Sequence, residues 1–125
     1  MKRAGKFNEA LSYYKSALDL DPVNSIVLYN TGILHNIRSE YPEAISHLEK
    51  SIDYSKDNVY AYLALGDALE RQKEYKEALK VYRELTGLGT KVHGLKERIT
   101  YLEGVISTEI KQQAAKQERE KEHAR

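Results

Sequence analysis

The 125-residue chain has no cysteine and no tryptophan, and it has one methionine. Without cysteine there is no disulfide scaffold, no thiolate zinc site and no cysteine nucleophile, and a reducing, cytoplasmic setting suits the chain. An excess of charge of one sign is also missing. Twenty Lys+Arg stand against nineteen Asp+Glu, for a formal charge of +1. That balance offers no electrostatic case for nucleic acid, whose backbone selects clustered cations. No apolar run reaches the roughly 20 residues that cross a bilayer, so membrane insertion is not expected. Met1 is followed by Lys2, Arg3 and Ala4, so no secretory leader is expected either. No segment alternates with period two, which argues against strands. What is present is charge, at 31% of residues, and ten Tyr against one Phe. The length suits one compact domain or a short repeat array.

The tyrosines belong to a repeat. At an offset of 34, Ala10-Leu11, Ala44-Ile45 and Ala78-Leu79 coincide. Seven residues later come Ala17-Leu18, Ser51-Ile52 and Leu85-Thr86, and three residues before each block sits Phe7, Tyr41 or Tyr75. Upstream, Leu28-x-x-Thr31-Gly32 falls on Tyr62-x-x-Leu65-Gly66. A fixed period of this size is the mark of a stacked helical array.

Each phase fits a helix face. Residues 28, 31, 32 and 35 follow i, i+3, i+4, i+7, and so do 62, 65, 66 and 69. Residues 41, 44, 45, 48, 51 and 52 mark a second helix, repeated at 75, 78, 79, 82, 85 and 86. Asp21-Pro22-Val23-Asn24 stops one helix and offers Asn24 or Ser25 to cap the next, as Ser55-Lys56-Asp57-Asn58 does one period later. Pro42 fits a first helical turn, where its missing N–H is not needed. Gly32 and Gly66 lie inside helices at a cost of about 1 kcal/mol each relative to Ala. Their recurrence predicts a neighbouring helix too close for a Cβ, with small Ala10, Ala44 and Ala78 completing the contact.

The 34-residue helix–turn–helix with these aromatic, Leu-Gly and Ala positions resembles the tetratricopeptide repeat family. The family's signature is met in residues 59–92 by Tyr62, Leu65, Gly66, Leu69, Ala78, Tyr82, Leu85 and Thr90. In residues 25–58 it is met by Leu28, Thr31, Gly32, His35, Ala44, Leu48, Ser51 and Lys56. His35 replaces an aromatic, and the closing Pro is missing from both. Residues 1–24 match the second half of a repeat. The resemblance covers about three quarters of the chain. It implies an all-α helical-repeat solenoid, a right-handed superhelix of helix–turn–helix units. It also implies a concave binding groove lined by Ile26, Tyr29 and Ile33 beside Asn36, and by Tyr60, Leu63, Asp67 and Glu70. Five apolar or aromatic side chains there would be excessive on a solvated face. An apolar helix or extended segment of a partner is the expected ligand, with polar contacts near Asp67 and Glu70.

The same resemblance permits a test for one partner class. Co-chaperones of the family grip the acidic C-termini of heat-shock chaperones with Lys and Asn side chains and an Arg. Asn30 matches one of those Asn positions. The leading helix of the first repeat is absent and the third-repeat positions hold Tyr60 and Ala64, which carry no charge, so this reading argues against chaperone C-termini.

Residues 93–125 break the period. Leu95, Ile99, Leu102, Ile106 and Ile110 form one stripe of a long helix, expected to cap the stack over 93–110. Either heptad register fails by Glu109 or Gln112–Gln113, which argues against a coiled coil. Residues 111–125 mix Lys, Arg and Glu and read as a charged helical extension or frayed tail.

Catalysis finds no constellation. His35, His47, His93 and His123 are scattered, with no i, i+4 pair for a metal. His35 sits at a packing phase. Gly87-Leu88-Gly89-Thr90-Lys91-Val92-His93-Gly94 follows a helix and lacks the ending of a phosphate loop, so it reads as a linker. Glu40, Glu43, Glu74 and Glu77 fall on outward phases. The expectation is a non-enzymatic protein-binding scaffold or adaptor without cofactor or metal. The alternative is a self-association module. The helix of residues 7–21 lacks its leading partner, so the chain is expected to be a piece of a longer array or to pair as a homodimer through Phe7, Leu11 and Tyr14.

Overall fold

In the computed structural model, residues 2–124 are described, with side chains from Gly5 onward, and all of the regular structure among them is helical. Six helices follow one another: α1 (Lys2–Leu20), α2 (Ser25–Ile37), α3 (Tyr41–Tyr54), α4 (Val59–Arg71), α5 (Tyr75–Gly87) and α6 (Leu95–His123). The chain ends each element where its residues require it. Asn24 caps α2 by accepting from the Val27 N–H at 3.1 Å. Asn58 caps α4 by accepting from Tyr60 and Ala61 at 3.1 and 3.3 Å. Those side chains satisfy N–H groups that have no carbonyl partner within the helix. Pro42 lies in the first turn of α3.

The turns α2–α3 and α4–α5 are copies of one another. Ser39 and Lys73 both take a left-handed backbone, at φ 60° and 62°. Glu40 N–H donates to the His35 carbonyl and Glu74 N–H to the Leu69 carbonyl, each at 2.9 Å. This closure uses carbonyls that the ending helix leaves free.

Each helix packs on the next, and α2 also lies against α4. Asn36 spans that second contact, donating to the Ala64 carbonyl at 3.2 Å. The core runs along the stack through Ala44, Leu48, Tyr62, Leu65, Ala78 and Tyr82 to Leu95 and Leu102 on α6. Leu48, Leu85 and Leu102 are fully buried, each contributing about 1.5–3 kcal/mol by removal from water.

The glycines behave as their recurrence demands, with a different neighbour. A Cβ on Gly32 would lie 2.6 Å from the Leu48 Cγ, and one on Gly66 would overlap the Tyr82 ring. The obstruction is thus the large residue four positions beyond the small Ala. Ala44 is in reach of Gly32 through its backbone carbonyl, 3.3 Å from the same point. Leu34 and Ala68 are also buried, although the 28/31/32/35 face omits their phase. α2 and α4 each have a helix on either side, so a second stripe of each is covered. At the C-terminal end, α6 runs unbroken to His123, beyond the apolar stripe, and Ile110 is 57% exposed.

A candidate peptide groove

α2 and α4 keep three large apolar side chains in solvent, Ile26 and Ile37 on one side of α2 and Tyr60 on α4. Ile26 is 68% exposed and Tyr60 69%. Tyr29, Asn30, Ile33 and Leu63 are half-buried, and Asp67 is exposed. Burial, and then the neighbouring Tyr60, push the Tyr29 hydroxyl above its ordinary pKa. Tyr29 of α2 and Tyr60 of α4 are thus near neighbours.

A cleft of about 460 Å³ opens beside Tyr60 and Leu63, walled on its far side by Thr90, Lys91, Val92 and His93. It continues past Leu63, Val92 and His93 into a second hollow of about 260 Å³ that reaches Asp67, Glu70 and Arg98. The trough thus follows α4 along one wall and the segment 90–98 along the other. The sequence reading missed the second wall, because residues 87–94 looked like a linker. Gly89 and Gly94 both take left-handed backbones, at φ 76° and 80°. Glycine adopts these without the Cβ clash, and the chain folds back against α4. The available signal was the stripe Leu95, Ile99 and Leu102, which fixes Arg98 on the flank of α6 facing α4.

Glu70 requires a correction. Its side chain is only 7% exposed. It accepts from the Tyr82 hydroxyl at 2.7 Å and from Arg98 Nε at 3.0 Å, and Arg98 Nη2 donates to its other oxygen. It is a buried tie between α4, α5 and α6 rather than a free polar contact. Burial, reinforced by the Glu70 carboxylate, pushes the Tyr82 hydroxyl far above the ordinary tyrosine range. The bond to Glu70 likewise raises Arg98. Arg98 also lies 4.9 Å from the centre of the Tyr101 ring, a cation–π contact that extends the aromatic surface onto α6.

The proposed self-association stripe lies elsewhere. Phe7, Leu11 and Tyr14 are each half-buried, and α2 is the helix that covers α1. The open apolar residues of α1 are Tyr13 and Leu20, 79% and 89% exposed. The stripe is a packing face, so its use as a dimer face is not supported.

Asn36 Oδ1 is buried without a hydrogen-bond partner among the described residues, whereas the polar groups at the α2–α3 turn are held by their neighbours. His35 Nδ1 lies 3.1 Å from Glu40 Oε1, and its ring stacks on His47 at 5.4 Å. Glu40 also pairs with Arg38 at 3.3 Å, so it is a turn residue with partners. Glu49 on α3 has its carboxyl raised by burial and by Asp53, Glu77 and Glu74. Among the described residues no group of three or more His, Cys, Asp or Glu is placed to hold a metal. No helix there is long and apolar enough to cross a membrane.

The tetratricopeptide repeat family matches residues 2–53 and 38–91. Among curated proteins, the BBSome complex member BBS4 of Bos taurus is 29% identical over 79 residues. That match covers 63% of this chain and 15% of the bovine protein. The chain therefore matches about 15% of that relative's length. Among solved structures, the TPR domain of Arabidopsis OM64 is 26% identical with a TM-score of 0.70, covering 81% of this chain and 84% of that one. The first TPR of Spaghetti (RPAP3), bound to an HSP90 peptide, gives a TM-score of 0.74 at 20% identity over 84% and 83% of the two chains. The exclusion of chaperone C-termini conflicts with that neighbour, since a domain of this architecture holds such a peptide. The expectation weighed the missing first helix together with Tyr60 and Ala64, whereas the cation Lys91 also lines the trough. It is withdrawn.

Proposed function

Since the chain belongs to the tetratricopeptide repeat family, we propose that it is a non-enzymatic adaptor whose concave groove holds a peptide or helix of a partner protein. The binding surface comprises Ile26, Tyr29, Asn30 and Ile33 of α2 with Tyr60, Leu63 and Asp67 of α4. The observation that carries this reading is Tyr60, more than two thirds exposed at the edge of an open cleft, with Ile26 of α2 equally exposed. Covering such side chains is worth more than covering polar ones, and tyrosine offers rigid area together with a hydroxyl. A cytoplasmic setting, within a larger repeat protein or assembly, fits the cysteine-free and charge-balanced composition.

The test is selection from a displayed random-peptide library on the wild type and on the Tyr29→Ala/Tyr60→Ala variant. Wild type is expected to enrich peptides with apolar anchors, and the variant to lose them. Tyr60 projects into solvent and its loss should leave the melting temperature nearly unchanged, so the double variant should lose only the modest contribution of the half-buried Tyr29. Enrichment that survives in the variant, or a fall in stability of the size seen for core truncations, about 3–5 kcal/mol, would sink the groove assignment.

A further inference from the structure

The trough carries a charge pattern that the sequence did not reveal. At its far end the two walls are joined, because Arg98 from the second wall reaches Glu70 of α4. At its near end stand an acid and a base of the same two walls, Asp57 before α4 and Lys91 opposite, both lining the 460 Å³ cleft. Neither has an ion-pair partner among the described residues. Asp57 Oδ1 accepts from the Ser55 hydroxyl at 2.8 Å, which orients the carboxylate and leaves its other oxygen without a bond in the structure. The same cleft is lined by apolar surface from Tyr60, Leu63 and Val92. The far end closes on itself through opposite charges, while the near end presents the same signs without closing.

We propose that the near end of the trough recognises a mixed-charge peptide segment of the partner: an apolar anchor residue flanked by a Lys or Arg on one side and an Asp or Glu on the other. The anchor covers Tyr60, Leu63 and Val92, the basic residue meets Asp57, and the acidic residue meets Lys91. A segment with two acids sets one of them against Asp57, and a segment with two bases sets one against Lys91. Like charges brought together at an interface reject the wrong partner more strongly than opposite charges reward the right one. This inference rests on the groove reading and adds the chemical class of its ligand.

The experiment measures fluorescence polarisation with three short labelled peptides, blocked at both ends. Each has a central Leu-Phe pair, flanked by one Lys and one Glu, by two Lys, or by two Glu. Wild type should bind the mixed peptide about fivefold tighter than either of the others at low salt, with the preference shrinking as salt rises. Asp57→Lys makes both walls cationic and should move the preference to the two-Glu peptide. Lys91→Glu makes both walls anionic and should move it to the two-Lys peptide. Equal affinity for all three on wild type, or an order unmoved by both reversals, overturns the charge assignment. If that happens while Tyr29→Ala/Tyr60→Ala still abolishes binding, the groove stands and only this inference falls. If no peptide binds, or if the tyrosine variant binds as wild type does, both fall together.

Discussion

The helix pairs α2/α3 and α4/α5 share one pattern of phases and fill it with different chemistry. Thr31, His35 and Ser51 in the first pair stand where Leu65, Leu69 and Leu85 stand in the second. Each polar residue has found a local partner. Thr31 donates to the Val27 carbonyl at 2.7 Å, Ser51 to the Ser25 carbonyl at 2.8 Å, and His35 meets Glu40. Such bonds contribute about 1 kcal/mol net each, less than the 1.5–3 kcal/mol of a buried leucine. The buried positions that do not vary are the small ones, Gly32 with Gly66 and Ala44 with Ala78, while Glu40, Tyr41 and Glu43 recur as Glu74, Tyr75 and Glu77 where the second helix of each pair begins. The repeat is therefore defined by where helices must touch. What fills the larger spaces is negotiable, provided buried polar groups are bonded. The second pair, apolar and flanked by α3 and α6, is the stable centre of the stack.

The largest effect is expected where the pairs agree. Ala44 and Ala78 are both fully buried, so Ala44→Arg and Ala78→Arg each force a long charged side chain into a closed helix contact. Ala78→Arg should abolish cooperative melting by circular dichroism, because it strikes the centre. Glu77→Arg, on the exposed side of the same helix, should shift stability by under about 0.5 kcal/mol. Its small effect should be a gain, since Glu77 is one of the acids crowding Glu49. Matching losses from Ala78→Arg and Glu77→Arg would break the shared phase assignment.

A smaller effect separates the pairs. Gly66→Ala drives a methyl into the ring of Tyr82, which is held by its bond to Glu70. Gly32→Ala drives one toward the Leu48 side chain, which has no such tether. After the helix-propensity gain of about 1 kcal/mol, Gly66→Ala should still cost roughly 2 kcal/mol and Gly32→Ala about half as much. Urea titrations that rank them in the other order would show the Tyr82 ring to be the freer of the two.

The periodicity made the stack legible because an offset of 34 superposes Ala10, Ala44 and Ala78 and places each helix by its own apolar stripe. The exposed face followed by subtraction, which is how Ile26 and Tyr60 could be read. The second wall of the trough could not be, because Lys91, Val92, His93 and Arg98 gain their meaning from two left-handed glycines and a fold-back that no periodicity encodes. Glu70 was misjudged for the same reason. Its phase is outward on α4, and only the approach of Arg98 from 28 residues away encloses it.

The Tyr82–Glu70–Arg98 tie predicts an alkaline pH response with no counterpart at the matching position of the first pair, where Leu48 takes the place of Tyr82. The folded state holds the Tyr82 proton more tightly than the unfolded chain does. Its contribution is complete below the unfolded tyrosine pKa of about 10 and declines as pH rises above that value. Urea midpoints measured from neutral pH into the alkaline range should fall above that point. Tyr82→Phe should fall less steeply, with a residual slope from Tyr62 and Tyr29, whose hydroxyls are also raised. Parallel slopes would remove Tyr82 from the account.

The smallest effect should come from making the two pairs alike. His35→Leu places in α2 the residue that α4 carries at the same phase, Leu69. The His35 side chain is 14% exposed, so most of the leucine would leave water, a gain of up to about 2 kcal/mol. Against this stand the loss of the Glu40 bond, about 1 kcal/mol, and of the stack on His47. Glu40 is not orphaned by the change. It keeps Arg38 at 3.3 Å, and its side chain is 39% exposed, so water can replace the lost donor. His47 likewise keeps the Glu43 carbonyl at 2.8 Å. The balance is a gain of about 0.5–1 kcal/mol, read as a small rise in the urea midpoint with an unchanged slope. A loss of similar size would mean that the histidine stack and its carboxylate do more for the first pair than leucine does for the second. The polar filling would then be a preference of the α2/α3 contact rather than a tolerated substitute.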